Sequence, residues 1–253
     1  MKPISAVLIT LNAERHLDKV LEALHGLDEI VILDSGSTDR TKTIAEQYGA
    51  VWQVRTFDGY GPQKQAACAL AKNDWILSVD ADEILDAQAQ SALKTLALDD
   101  PSMVWEICRR NFIGSREIRY GTWGKDYPIR LFNRTVHALN ANRIHESVKP
   151  HGPVLRLSGS MLHYTYSNLT EIFRPKFLLA KAVAAQNAQK RSSGPSLALR
   201  AAWSFGKSYI LQRGFLDGPA GVGVALGVAV ASTFGLTMAS DPACMGEDAK
   251  SNQ

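Results

Sequence analysis

The stretch WILSVDADE, residues 75–83, joins a run of apolar residues directly to three acidic side chains. A short and continuous apolar run is typical of a strand buried in a parallel sheet. The run therefore predicts a strand over residues 75–79, followed by Asp80, Asp82 and Glu83. In an open α/β sheet, ligands bind beyond the carboxyl ends of the strands, which is where these acids are expected to lie.

The segments around this stretch alternate between strand and helix patterns. Further strands are predicted over residues 4–10, 29–34 and 51–55, and helices over 14–24, 39–48, 62–71 and 87–98. This alternation predicts an α/β fold with a doubly wound, mostly parallel sheet and helices on both faces. After residue 101 the predicted strands are shorter (103–108, 129–133, 146–149 and 161–163), and long helices follow over 168–190 and 196–212.

The composition is that of a globular protein. The chain has 253 residues, of which 45% are hydrophobic and 21% charged, which excludes a disordered chain, a collagen and a coiled coil. Its three cysteines, Cys68, Cys108 and Cys244, are too scattered for a disulfide framework or a zinc site. The apolar run over residues 4–11 is too short for a signal peptide, so we expect no export signal and a cytoplasmic protein.

Small polar and acidic residues also follow the first two strands, in TLNAE (residues 10–14) and DSGSTD (residues 34–39). The sequence has neither a GxGxxG nor a GxxxxGK[ST] motif, which disfavours the usual dinucleotide and P-loop sites. Carboxylates at strand ends instead suit a ribose hydroxyl, a base N–H or a hard divalent cation. A Mg²⁺ or Mn²⁺ ion held by Asp80 and Asp82 could bridge the phosphates of a nucleotide diphosphate, whereas Asp82 or Asp86 could alternatively cap the next helix.

The ordered set of motifs resembles family 2 glycosyltransferases with the GT-A fold. It comprises TLNAE, DSGSTD, QKQAACALAKNDWILSVDADE (residues 63–83), IRLFNR (residues 129–134) and His145-Glu146. The similarity is strongest to bacterial enzymes that add glucose or a similar sugar to the lipopolysaccharide inner core, and it covers roughly residues 4–165. It implies a GT-A domain over residues 1–165. We expect a helical, membrane-associating extension over 166–240, and the polar composition after residue 241 predicts a flexible tail over 241–253.

The resemblance also implies roles for particular residues. Four side chains would lie near the nucleotide base and ribose: Thr10, Asn12, Glu14 and Asp34. Asp82 would bind Mg²⁺ or Mn²⁺ directly, Asp80 would contact the ribose or a metal-bound water, and His163 would lie near the metal. Arg130 would line the pocket. Lys64 would lie near the diphosphate or the base edge, and a solvated helix lysine is an equal alternative.

Inverting sugar transfer needs a carboxylate that removes the proton of the acceptor hydroxyl. Many family 2 enzymes carry a Glu-Asp pair after the mixed strands, and this chain has His145-Glu146 in that place. We therefore expect Glu146 to be the catalytic base, with Asp126 as the alternative. We expect Ser37, Thr38 and Asp39 to cap the second helix and Trp123 to pack against a sugar face. Glu83 is not expected to bind the metal. Surface salt bridges are expected for Arg109, Arg110 and Arg134.

Charge is distributed unevenly in the C-terminal third. Residues 170–215 contain eight basic residues and one acid, and residues 219–240 contain no charged residue. A basic segment before an uncharged one favours an anionic membrane surface over nucleic acid as the partner. We expect peripheral attachment to the inner face of the inner membrane, with a single spanning helix over residues 219–240 as the alternative.

Together these observations predict a metal-dependent inverting glycosyltransferase. Its donor would be a nucleotide diphosphate sugar, UDP-linked, and its acceptor a lipopolysaccharide-core or similar lipid-linked saccharide. Two alternatives remain at this point. One is a transferase acting on a polyprenyl phosphate or an exopolysaccharide, and the other is a nucleotide-binding protein without turnover.

Overall fold

The computed structural model describes residues 2–124, 126–140, 147–173 and 193–240. Its amino-terminal half is the predicted alternation of strands and helices. The elements are β1 (Ile4–Thr10), α1 (Glu14–Leu24), β2 (Glu29–Asp34), α2 (Thr41–Gln47), β3 (Val51–Val54), α3 (Tyr60–Leu70) and β4 (Trp75–Ser78). The four strands are parallel and adjacent in the order β3-β2-β1-β4, which confirms the α/β fold.

The remaining strands extend the same sheet beyond β4. They and one helix are β5 (Glu83–Leu85), α4 (Ala87–Leu93), β6 (Val104–Ile113), β7 (Arg116–Ile118), β8 (Ile129–Asn133) and β9 (Val154–Tyr166). The order continues as β4-β8-β6-β9-β5, and β7 pairs with β6. Strand β8 runs antiparallel to β4, so its first residues lie at the carboxyl edge of the parallel strands.

Both faces of β1, β2 and β4 are buried, which explains their largely apolar sequences. In β1, Ile4, Ala6 and Leu8 belong to one hydrophobic cluster, whereas Val7 belongs to another. Successive side chains of a strand point to opposite faces, so helices must cover both sides of this strand. Helix α1 covers the first cluster with Leu17, Val20, Leu21 and Leu24, whose helical spacing the sequence showed.

Several predicted boundaries differ from the structure. Strand β9 has 13 residues, far more than the predicted 161–163, and β5 and β7 were not predicted. Within the predicted strand over 146–149, Val148 makes only an isolated bridge to Leu139. The predicted helix over 168–190 begins instead with a 3₁₀ turn, Leu169–Ile172, and residues 174–192 lie outside the described residues, as does the 241–253 tail.

Contacts divide the chain into two units. The first consists of Met1–Arg110 and Asp126–Tyr164, and the second of Asn111–Lys125 and Thr165–Gln253. The second unit contains α5 (Gly194–Gly206), a π-helical turn (Lys207–Leu211), a 3₁₀ turn (Gly214–Asp217) and α6 (Pro219–Ser240). Its core packs α6 against the 111–125 segment and includes Ala220, Val224, Ile113, Ile118 and Ile172.

Candidate active site

Strand register brings the acidic strand ends to one edge of the first unit. Thr10 at the end of β1 lies beside Asp34 at the end of β2. On the other side of β1, the backbone N–H of Val79 donates to the carbonyl of Val7, and Asp80 follows. Leu77 of β4 lies opposite Leu131 of β8, so the antiparallel strand brings Arg130 to the same edge.

Asp80 lies between two buried basic side chains. Its Oδ1 is 2.6 Å from Nζ of Lys64, and its Oδ2 accepts a hydrogen bond of 2.8 Å from Nη2 of Arg130. Lys64 and Arg130 are 3% and 7% exposed. Burial alone would raise the pKa of Asp80, but the positive charges of Lys64 and Arg130 outweigh it and hold the pKa well below its ordinary value. The alternative that Lys64 is a solvated helix lysine is therefore wrong.

Glu83 connects this cluster to further charged residues. It is fully buried, and its Oε1 accepts hydrogen bonds from Arg130 and, at 3.2 Å, from Nη1 of Arg109. Its Oε2 accepts the backbone N–H of Asp80 at 3.1 Å. Arg109 also binds the carboxylate of Asp126. The connected side chains carry three positive and three negative charges, a balance that a buried network requires.

The sequence did not reveal the roles of Glu83 and Arg109 in this charged cluster. Arg109 was expected in a surface salt bridge, but most of its side chain is buried and it binds Glu83. For Arg130 the sequence did contain a signal. This arginine lies among the apolar residues of the strand IRLFN, and a buried arginine needs an acidic partner. Arg134 does form the expected ion pair, with Asp74 at 3.5 Å, and it also donates to the carbonyls of Cys68 and Ala71.

Asp82 and His163 come together through the pairing of β5 with β9. Glu83 lies opposite His163, and the backbone N–H of Tyr164 donates to the carbonyl of Asp82 at 3.0 Å. The Nε2 of His163 is then 3.6 Å from Oδ2 of Asp82. Burial, with the nearby carboxylates of Asp80 and Glu83, raises the pKa of Asp82 despite the opposing effect of His163. A cation bound here would stabilise the ionised carboxylate of Asp82.

The donor set at Asp82 and His163 fits a divalent cation with an incomplete protein shell. Mg²⁺ and similar ions commonly use one or two protein ligands and complete their shell with phosphate and water. In the part of the chain that the structure describes, no three His, Cys, Asp or Glu side chains form a metal-binding group. Both oxygens of Asp80 contact Lys64 and Arg130, which favours Asp82 and His163 over Asp80 as direct ligands.

The loops after β1 and β2 are held together by Asp34 and its neighbours. Asp34 is buried, and its carboxylate accepts four hydrogen bonds, from Oγ1 of Thr10, the backbone N–H of Gly36, and both the N–H and the hydroxyl of Ser37. Burial alone would raise the pKa of Asp34, but these hydrogen bonds lower it below its ordinary value. In the described structure, Thr10 and Asp34 therefore shape the loops that were predicted to hold the nucleotide.

Asn12 and Glu14 connect the first loop to the second. Asn12 has a left-handed backbone with a φ of 50°, its N–H donates to Oγ of Ser37, and its Oδ1 accepts the N–H of Thr38. Oε2 of Glu14 accepts the N–H of Arg40 at 3.1 Å.

None of the three residues expected to cap α2 occupies its N-cap, which is Arg40 and has no side-chain cap hydrogen bond. Asp39 nevertheless accepts the N–H groups of Thr41 and Glu14, the first residues of α2 and α1. For Ser37 and Thr38 the expectation is wrong, because both bind Asn12 across the two loops.

Four further residues from the sequence predictions have different outcomes. Glu146, the expected catalytic base, and His145 lie outside the described residues. Asp126, the alternative base, binds Arg109. Trp123 belongs to the second unit, where its ring stacks on Tyr166 with centroids 5.6 Å apart.

Comparisons with known proteins identify the family. The model of glycosyl transferase family 2 matches residues 5–148, which is more than half of the chain. The lipopolysaccharide core biosynthesis glycosyltransferase LpsC of Rhizobium meliloti (strain 1021) is 35% identical over 174 residues, covering 64% of this chain and 63% of LpsC. The match thus spans less than two thirds of that relative's length.

Two further similarities are broader or weaker. An uncharacterized glycosyltransferase of Rickettsia bellii (strain RML369-C) is 29% identical over 238 residues, covering 86% of this chain and 79% of the relative. Glucosyl-3-phosphoglycerate synthase from Mycobacterium tuberculosis, solved with Mn²⁺, UDP and glucosyl-3-phosphoglycerate, is 25% identical over 45% of each chain, with a TM-score of 0.35. On the family match, this chain belongs to glycosyl transferase family 2.

Proposed function

We propose that this protein transfers a sugar from a nucleotide diphosphate sugar, UDP-linked, to a lipopolysaccharide-core or similar lipid-linked saccharide, with inversion at the anomeric carbon. Family membership supports sugar transfer, and the similarity to the lipopolysaccharide core biosynthesis glycosyltransferase LpsC supports the acceptor class. One structural observation carries the proposal. The Asp82–His163 pair lies next to the Lys64–Asp80–Arg130 cluster at the carboxyl edge of the parallel strands.

The side chains of this edge suit a diphosphate. Lys64 and Arg130 provide two buried positive charges, and Asp80 and Glu83 fix where those charges lie. Asp82 and His163 would hold Mg²⁺ or Mn²⁺, which supplies Lewis-acid stabilisation of the leaving diphosphate when bound. Fixed charges of this kind stabilise a developing negative charge because they need no rearrangement during the reaction.

Deprotonation of the acceptor is assigned to Glu146 in this proposal. Its carboxylate would take the proton from the acceptor hydroxyl as that oxygen attacks the anomeric carbon from the face opposite the diphosphate. Loss of a general base typically lowers the rate about 10²- to 10⁴-fold. Glu146→Gln should therefore lower kcat by that factor while UDP affinity stays unchanged.

Peripheral membrane attachment is part of the proposal, and the packing of α6 supports it. Pro219–Thr237 is apolar and long enough to cross a bilayer by length and composition. However, Ala220 and Val224 are buried against other residues of the second unit, and a Cβ at Gly221 would lie 1.8 Å from the carbonyl oxygen of Gly214. A helix packed this closely fits attachment to one surface. Washes at high salt and alkaline pH should release the protein from membranes, whereas a spanning protein would resist both.

Turnover in the absence of acceptor tests the proposal. Purified protein with Mn²⁺ should slowly release UDP from at least one UDP-sugar, and Asp82→Ala should abolish the release. The exposed Asp99→Ala is the matched control and should retain it. If no nucleotide sugar is hydrolysed, with or without a lipid-linked acceptor, the protein is a nucleotide-binding protein and the proposal fails.

A further inference from the structure

The second unit exposes large apolar side chains along one short segment, which we call the 194–216 surface. It contains six of them: Leu199, Trp203, Ile210, Leu211, Phe215 and Leu216. Leu199 is 72% exposed and Trp203 is 65% exposed. Single exposed apolar residues are common on proteins, but a group of this size in 23 consecutive residues marks an interaction surface.

The six residues occupy three consecutive elements of the second unit. Leu199 and Trp203 are four residues apart on α5, and positions four apart lie on the same helix face. Ile210 and Leu211 follow in the π-helical turn, and Phe215 and Leu216 in the 3₁₀ turn.

Close contacts hold the end of the segment in a defined conformation. A Cβ at Gly214 would lie 2.7 Å from the carbonyl oxygen of Ser208, so the two turns approach closely. The buried carboxylate of Asp217 accepts the backbone N–H groups of Arg119 and Tyr120. The exposure of Phe215 and Leu216 is therefore a property of an ordered structure.

The charges on this surface all have one sign. Arg200, Lys207 and Arg213 lie among the apolar residues, and residues 193–216 contain no acid. Asp217, the next acid, is 5% exposed and faces backbone N–H groups of its own unit. A partner that covers this surface must therefore be apolar and negatively charged.

We propose that the 194–216 surface docks onto an anionic lipid bilayer. Leu199, Trp203 and the apolar residues of the two turns would enter the boundary between headgroups and acyl chains, where the tryptophan ring is favoured. Arg200, Lys207 and Arg213 would meet the acidic headgroups, as basic residues do at anionic membrane surfaces. This inference rests on the membrane attachment in the proposed function and names the surface that makes it. It does not depend on sugar transfer, because membrane binding is measured without any donor or acceptor.

Co-sedimentation of the full chain with vesicles tests the proposal. Vesicles of phosphatidylcholine with phosphatidylglycerol should bind the protein at least about tenfold more tightly than vesicles of phosphatidylcholine alone. Leu199→Ser with Trp203→Ser should weaken binding at least about tenfold, because it removes most of the apolar contact on α5. The matched control, Val54→Ser with Leu155→Ser, changes two exposed apolar residues of the first unit and should bind as the wild type does.

Charge variants separate the electrostatic contribution. Arg200→Gln and Lys207→Gln should each weaken binding to the anionic vesicles about fivefold. The control variants Lys19→Gln and Lys94→Gln change exposed lysines of the first unit and should leave the affinity within about twofold. Circular dichroism of every variant should match the wild type, because all the changed side chains are exposed.

Four results would overturn the proposal. The first is equal affinity for the neutral and the anionic vesicles, or binding to neither. The second is unchanged binding of the Leu199 and Trp203 double variant. The third is a wild-type dimer, seen by light scattering, that this variant converts to a monomer, since the surface would then join two copies. The fourth concerns the fluorescence of Trp203, measured as the difference between the wild type and Trp203→Phe. If acrylamide does not quench this fluorescence in the absence of vesicles, the chain itself covers the surface.

Discussion

Glu83 and Arg130 form an ion pair in which both side chains are withdrawn from water. The pair joins a short edge strand, β5, to the centre of the sheet at β8. Its position matters because Arg130 also binds Asp80, the first acid after β4. The carboxylate of Glu83 therefore holds the basic side chain that we propose for the diphosphate, although it is itself fully buried.

Loss of the Glu83 charge should destabilise the protein. In Glu83→Gln, two guanidinium groups lose a buried carboxylate, and removal of one partner from a buried pair typically costs about 3–5 kcal/mol. Urea unfolding should show this loss in the free energy of unfolding. Glu46→Gln is the matched control, because Glu46 pairs with Lys42 at the surface at 3.8 Å, and it should cost less than about 1 kcal/mol. Equal effects of the two changes would contradict the burial argument.

The contact between Lys64 and Asp80 should appear as coupling between the two residues. Lys64→Met and Asp80→Asn should each lower the free energy of unfolding, because each leaves a buried charge with fewer partners. The double variant should lose at least about 1 kcal/mol less than the sum of the single variants, since residues in direct contact are not additive. Lys72→Met, which changes an exposed lysine 4.0 Å from Glu29, is the control. Strict additivity would show that the pair contributes nothing.

Asp34 should make the stability of the protein depend on pH. Its pKa is lower in the folded state than in the unfolded chain, because hydrogen bonds from Ser37, Thr10 and Gly36 outweigh burial. Such a group stabilises the fold above its unfolded pKa, and the contribution is lost as the pH falls through the folded pKa.

The variant Asp34→Asn should therefore be less stable than the wild type at neutral pH. The difference between the two should shrink as the pH is lowered from about 6 to about 3, measured by urea unfolding at each pH. The control variant Asp99→Asn, at an exposed position, should differ little from the wild type throughout. A difference for Asp34→Asn that stays constant with pH would mean that its ionisation does not contribute.

The sequence predicted the parallel half of the sheet well, because local patterns determine it. The buried strands are apolar runs and α1 shows its helical spacing. Asp34 is the last residue of β2, and Asp80 lies two residues after β4. The carboxyl edge of a parallel sheet then brings those acids together without further information. The same reasoning placed Asp39 at the start of α2, where it accepts the N–H of Thr41.

The sequence predicted the partners of these acids less well. Arg130 and His163 reach the edge through the antiparallel pairings of β8 with β4 and β9 with β5, which depend on residues 50 or more positions apart. Strand β5 has only three residues, and Glu83 occupies one of them. A buried charged residue in so short a strand carries no apolar pattern, so the central role of Glu83 emerged only from the three-dimensional structure.

The effect of Mn²⁺ on the affinity for UDP tests the central claim most directly. If Asp82 and His163 hold the ion beside the diphosphate, the wild type should bind UDP at least about tenfold more tightly with Mn²⁺ than without it. The bound cation attracts the diphosphate, and a coupling of this kind between two ligands is reciprocal. Titration calorimetry should show that Asp82→Ala and His163→Ala lose this enhancement, whereas the exposed His25→Ala retains it. An affinity for UDP that is independent of Mn²⁺ in the wild type, or an enhancement that survives in both site variants, would contradict the account.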